Sequence, residues 1–167
     1  FFSSFYAPLG MLMFLMIRHT GTTETGFVMT LTLLLMVWGN DIFAYFGGKY
    51  LGSHLLAPKI SPKKTWEGFL FGLLGAVSGL LIVIFLIPFP FPVDLLYALL
   101  LSLLISLFGQ LGDLAVSKIK RAADVKDTSN ILPGHGGLLD RFDALILAAP
   151  AFYLYIYSLK IMGYVSF

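Results

Sequence analysis

The sequence predicts an all-α fold: a polytopic bundle of about five transmembrane helices, with two polar loops gathered at one end. Three observations predict it. Apolar residues make up 58% of the 167 and charged residues only 12%, about half the usual share of a soluble domain. A water-soluble fold could not hide that much apolar surface, and the mean hydropathy of +0.89 agrees. The apolar residues fall into five long runs, while the charges cluster between them: the 27 residues from 117 to 143 hold nine of the 20 Lys, Arg, Asp and Glu side chains.

A membrane-crossing helix needs about 20 mostly apolar residues. The first run, residues 1–17, is short and closes on Arg18-His19-Thr20-Gly21. The second covers about 26–46, carries Asn40 and Asp41 in its last two turns, and is expected to stop at Gly47-Gly48. The third, 68–87, has Gly72, Gly75, Ser78 and Gly79 as a small-residue face suited to close helix packing. Pro88-Phe89-Pro90-Phe91-Pro92 then forces a turn. The fourth run covers 95–116 and continues towards Arg121; the fifth covers 142–165, with Pro150 an expected kink. Nothing divides the chain, so residues 1–167 are one membrane-embedded domain. Because it opens on Phe1, it is expected to be the C-terminal part of a longer protein.

Orientation follows from the cations. Nine of the 11 Lys and Arg lie in two places: Lys49, Lys59, Lys63 and Lys64, then Lys118, Lys120, Arg121, Lys126 and Arg141. Both fall on the same side if the spans alternate, and the positive-inside rule puts that side in the cytoplasm. There is no cysteine, so disulfides and thiolate metal sites are excluded. His135 with one carboxylate makes a weak zinc site, having no second His or Cys nearby.

The window 117–143 combines three kinds of group. Lys118, Lys120, Arg121, Lys126 and Arg141 can counter several phosphate charges. Pro133-Gly134-His135-Gly136-Gly137 can turn successive N–H groups inward as an anion nest. Asp113, Asp127, Asp140 and Asp143 are hard oxygen donors of the kind magnesium takes alongside substrate phosphates. Together they point to a nucleotide bound through a metal. The competing reading is a solvated basic loop, which would not need embedded aspartates. Asp113 is such a residue: a carboxylate near the membrane core costs at least ~2.5 kcal/mol. On a continuous helix it shares a face with Ser117 and Arg121, and its plainer explanation is a salt bridge to Arg121 or a lysine.

The second window holds Asp41 and then Ser61-Pro62-Lys63-Lys64-Thr65. Asp41, placed at a helix C-terminus, would oppose the helix dipole and need a cation. Ser61, Lys63, Lys64 and Thr65 precede a helix N-terminus and suit phosphate, with a helix cap plus snorkelling lysines as the alternative. His19 and His54 read as ordinary loop residues, and the tryptophans as interfacial anchors.

At these residues the chain resembles the membrane-integral phosphatidate cytidylyltransferases (CDP-diacylglycerol synthases) of the bacterial type. Their signature is met by Ser117, Ile119, Lys120, Arg121, Lys126, Asp127, Ser129, Leu132, Pro133, His135, Gly136, Gly137, Leu138, Asp140, Arg141, Phe142 and Asp143. Upstream, Asp41, Ala44, Tyr45 and then Ile60, Ser61, Pro62, Lys64, Thr65, Glu67 and Gly68 match two further elements. Many members have Thr where this chain has Ile42. The likeness runs from about Trp38 to the end.

The resemblance implies an enzyme of phospholipid biosynthesis that joins CTP to phosphatidate, giving CDP-diacylglycerol and pyrophosphate. It implies magnesium, alone or with a second cation, on Asp113 and Asp140. Lys63, Lys64, Lys120, Arg121 and Lys126 would then bind the triphosphate and the lipid headgroup, with Arg141, His135, Gly136 and Gly137 on pyrophosphate. Asp41, Asp127 and Asp143 are supporting or additional ligands, and Ser61, Thr65 and Ser117 offer hydroxyls. The setting is a bacterial inner membrane, with phosphatidate entering from the cytoplasmic leaflet, a homodimer as candidate assembly, and no nucleic acid. The rivals are a related lipid nucleotidyltransferase such as a CDP-archaeol synthase, a polyprenol kinase, or an ion-coupled transporter through Asp41, Asp113 and His135. A transporter would place isolated charges at mid-membrane, whereas these cluster at one interface.

Overall fold

The computed structural model describes residues 2–88, 94–129 and 137–166. Its elements are α1 (Phe2–Arg18), α2 (Thr23–Leu51), β1 (Leu55–Ala57), β2 (Ser61–Thr65), α3 (Trp66–Leu86), α4 (Leu95–Ala122) and α5 (Leu139–Ile161). Helices α2, α3 and α4 start where short polar side chains can take an orphan N–H. Thr22 accepts from Thr25 N at 3.1 Å, Thr65 from Gly68 N at 3.1 Å, and Asp94 from Leu96 N at 2.8 Å.

Helices α2 to α5 are long and apolar enough to cross a membrane; α1, at 17 residues, is apolar but shorter. Lipid also explains the surface. Phe85, Leu86 and Leu95 are 81%, 77% and 73% exposed, which in water would make a sticky patch. Hydroxyls within the spans return to their own helix: Thr32 and Ser102 donate to Val28 and Ala98 carbonyls at 2.7 and 2.9 Å, as a solvent without hydrogen bonds requires. The chain is an integral membrane protein.

The core gathers Met29, Leu33, Met36, Leu80, Ile105 and Phe152 between α2, α3, α4 and α5. α2 and α3 run antiparallel in the closest contact of the fold. A Cβ on Gly75 would lie against the carbonyl of Gly39, and one on Gly79 against that of Leu35. Only glycine permits that approach. Gly75→Val should therefore cost about 1–3 kcal/mol through overpacking, measured as a loss of thermal stability in detergent; Leu70→Val, at a side chain 61% exposed, should shift it little.

Two expectations need correcting. α2 does not stop at Gly47-Gly48 but continues to Leu51. Those glycines are sites of close packing, against Phe71 and Thr65, so they extend the interface with α3 instead of ending the helix. Asp41 consequently lies well inside α2, away from its C-terminal dipole. The following segment is also not simple loop: β1 and β2 pair antiparallel, Leu55 with Thr65 and Ala57 with Ser61. α5 passes through Pro150 without interruption.

Contacts between successive helices show that the spans alternate: Gly39 and Leu35 pack on Gly75 and Gly79, Gln110 reaches Phe69, and Lys120 meets Asp140. The C-termini of α2 and α4, the hairpin, and the N-termini of α3 and α5 therefore gather at one end. Nine of the 11 cations lie there, while Arg18 and Lys160 close α1 and α5 at the other.

Candidate functional site

At the charged end a cavity of about 640 Å³ opens between α2, the hairpin, α3 and α4. Asp41, Lys49, Lys63, Lys64, Gln110 and Asp113 supply its polar lining. Asp113 is paired within it. Lys64 Nζ lies 2.6 Å from Asp113 Oδ2, and Ser117 Oγ, one turn on, donates to Asp113 Oδ1 at 3.2 Å. The lysine salt bridge expected as the plainer reading of Asp113 is thus present, and it comes from the hairpin. It does not seal the site: the two side chains are 22% and 35% exposed. Lys63 points to the same cavity, and Ser61 is half-buried in β2. Thr65 is buried, and its hydroxyl oxygen caps α3, which is the capping role weighed for this segment.

Behind Asp41 lies a buried polar link that the sequence reading passed over. Asn40 is 1% exposed. Its Oδ1 accepts from Ser106 Oγ at 2.8 Å, and its Nδ2 donates to Asp41 Oδ1 at 3.3 Å. Gln110 Nε2 reaches the Phe69 carbonyl at 3.5 Å. Gly72 makes room for both amides: a Cβ there would meet Asn40 Oδ1 at 2.6 Å and Gln110 Nε2 at 2.9 Å. A signal was available. Ser102, Ser106 and Gln110 repeat every four residues along one face of an apolar helix, a polar stripe leading towards Asp113.

A second network holds the start of α5. Asp140 Oδ1 accepts from Lys120 Nζ at 2.7 Å. Its Oδ2 accepts from Thr128 N and Thr128 Oγ1, both at 2.8 Å, and from Gly137 N at 2.9 Å. One carboxylate therefore ties α4, the segment after it and the first turn of α5 together. Gly137 is buried against Thr128 and Ser129, leaving no room for a side chain. Arg121 Nη1 donates to the Val125 carbonyl at 3.4 Å. Lys126, Asp127 and Arg141 are exposed around this knot. His135 and Gly136 lie outside the described residues, as do Pro133 and Gly134.

Asp143 packs beside the first network. Gly112 packs on its backbone, a Cβ there meeting Asp143 O at 2.6 Å, so Asp143 stands level with the turn that carries Asp113. It is within electrostatic reach of Asp113, Asp41 and Lys120. Asp140 lies about one turn nearer the loop. Among the described residues, no three His, Asp or Glu side chains form a ready-made metal cage. The donors that face the cavity are hard oxygens, Asp113 and Asp41 with the Gln110 amide, and they fit magnesium shared with a substrate phosphate.

Comparisons with known proteins show the family. The profile of the cytidylyltransferase family matches residues 1–159. The chain belongs to the cytidylyltransferase family. It is similar to the phosphatidate cytidylyltransferase of Brucella abortus biovar 1 (strain 9-941), 43% identical over 151 residues that cover 90% of this chain and 54% of that protein. The protein of the same name from Bacillus subtilis (strain 168) is 43% identical over 145 residues, covering 87% of this chain and 53% of its own length. That of Rickettsia bellii (strain RML369-C) is 44% identical over 121 residues, 69% and 52%. The chain spans about half the length of the curated relatives it matches.

Proposed function

We propose that this chain carries the catalytic site of a phosphatidate cytidylyltransferase. The observation that carries the reading is the Lys64–Asp113 pair: a cation and a carboxylate held 2.6 Å apart in a membrane-edge cavity beside Lys63 and Asp41. Polyphosphate needs the cations, and the metal that accompanies it needs the carboxylates. A phosphate oxygen of phosphatidate attacks the α-phosphorus of CTP; a new P–O bond forms, the α–β bridging P–O bond breaks, and pyrophosphate leaves. The attacking phosphate, with a second pKa around 6, is already largely dianionic near neutral pH, so no strong base is needed. What the protein supplies is charge neutralisation and in-line alignment.

Lys63 and Lys64 from the hairpin, and Lys120, Arg121 and Lys126 from the end of α4, bind the triphosphate and the lipid headgroup. Ser61 and Ser117 add hydroxyl contacts. Arg141, Gly137, His135 and Gly136 receive pyrophosphate. Asp113 would hold magnesium in this reading, with Asp41 beside it in the cavity and Asp143 and Asp127 in support; Asp140, whose two oxygens accept from Lys120, Thr128 and Gly137, would join it only by giving up those contacts. When bound, the metal would neutralise phosphate charge and stabilise the leaving oxygen. The cationic end faces the cytoplasm of a bacterial cell, and the lipid reaches the cavity sideways from that leaflet of the inner membrane.

The test is an assay of full-length protein with radiolabelled CTP and dispersed phosphatidate, with and without magnesium. Lipid-linked CDP that requires the metal is expected. Its absence under every metal condition would sink the reading.

A further inference from the structure

We propose that Glu67 is a positioning residue: it latches the β1–β2 hairpin to α3 and so holds Lys64 on Asp113. The proposal rests on the catalytic reading above, in which Lys63 and Lys64 bind phosphate.

The hairpin is a weak element by itself. Its strands have three and five residues, and the register shifts between Leu55 and Ala57. A lone two-stranded hairpin is marginal at best. Its outer part is held mainly by its own pairing and by Ile60 N donating to the Ala57 carbonyl at 3.1 Å. It nevertheless carries two of the three lysines that line the cavity, Lys63 and Lys64, so something outside it has to fix its angle.

Glu67 provides that tie. Its Oε1 lies 2.6 Å from His54 Nδ1 and its Oε2 accepts from His54 N at 3.2 Å. A carboxylate can only accept, so the ring nitrogen carries the proton in this contact. Trp66 N donates to the His54 carbonyl at 2.9 Å, closing the same clasp from the backbone. Residue 54 enters β1 while residues 65 and 66 leave β2, so the clasp pins both ends of the hairpin to the first turn of α3. An acidic residue in a first turn ordinarily needs no explanation beyond the helix dipole. Here Thr65 caps the helix, and each Glu67 oxygen meets His54, one at its ring and one at its backbone N–H. His54 itself is 79% exposed and buries little in return.

The 167 residues contain no cysteine, which gives a direct probe. Lys59→Cys, carrying a nitroxide label, reports hairpin motion in the full-length protein once any cysteine outside these residues is replaced by serine. Glu67→Ala should raise the label's mobility. It should also raise KM for CTP about tenfold, the loss of a charge-assisted hydrogen bond, with kcat changed less than threefold. Glu67→Gln keeps an acceptor oxygen and should restore most of both. If Glu67→Ala does not fold, His54→Ala, which removes only the ring contact, is expected to shift mobility and KM in the same direction by a smaller factor. Unchanged mobility and KM overturn the proposal. So does a joint fall of kcat and folded fraction at constant KM, the signature of a helix stabiliser alone. Should the parent protein make no lipid-linked CDP, the catalytic reading fails and the mobility comparison decides the latch.

Discussion

Asp113→Asn should lower the rate of CDP-lipid formation by about 10²–10³-fold, the scale expected for losing one electrostatic group at a reacting phosphate, and leave the bundle folded. The amide is isosteric, and its oxygen can still accept from Ser117. What disappears is the charge facing Lys64. Because Asp113 is 35% exposed and its partner 22%, the pair is partly screened and contributes little to stability, so thermal unfolding in detergent should stay close to the parent's. Lys64→Met separates two roles. If Asp113 served only to place Lys64, the double variant would be no slower than the worse single one. If Asp113 also holds magnesium, it alone should shift the magnesium dependence, and the double variant should be slower than either. A near-parental rate for Asp113→Asn would remove Asp113 from the site.

The spans were legible because membrane helices obey a blunt rule of length and apolarity, and α2 to α5 meet it. Their ends were less so. Gly47 and Gly48 read as a stop because glycine weakens helices, yet at a helix–helix seam the missing side chain is what allows contact, and the tertiary requirement wins. The hairpin was hidden by its composition: Ser61-Pro62-Lys63-Lys64-Thr65 has almost none of the β-branched or aromatic residues that mark a strand, and it pairs because both its ends are anchored. Asn40 was passed over for a different reason. The Ser102, Ser106 and Gln110 stripe marks a polar face on α4, but it does not name Asn40, 66 residues from Ser106, as the partner.

Within the candidate site, what local geometry governs could be read directly. Asp113 and Ser117 are one helical turn apart and do meet. What depends on how α4 faces α5 could not. The resemblance implies a metal shared by Asp113 and Asp140, but nothing in the sequence says which aspartate of Asp140 and Asp143 stands level with Asp113. The packing of Gly112 on the backbone of Asp143 answers that, and it leaves Asp140 about a turn away, bonded to Lys120.

That placement gives Asp140→Asn a different signature from Asp113→Asn: both activity and stability should fall. Asp140 and Lys120 are 9% and 13% exposed, so removing one partner strands a mostly buried charge, at a cost of about 3 kcal/mol or more. The asparagine also offers one acceptor oxygen where four donors now converge: the Lys120 ammonium, the Thr128 amide and hydroxyl, and the Gly137 amide. The segment after α4 should loosen, and trypsin should cut faster after the exposed Lys126. Turnover should fall at least as far as in Asp113→Asn, because the same loosening moves Lys120 and Arg121. Adding Lys120→Met removes the stranded cation and should recover much of the lost stability, since the penalty belongs to the unpaired charge more than to the missing bridge. It should recover none of the activity. A single Asp140→Asn variant that unfolds like the parent and resists trypsin equally would show that Asp140 does not organise this end of the bundle. Recovery of activity in the double variant would mean that neither charge takes part in the reaction.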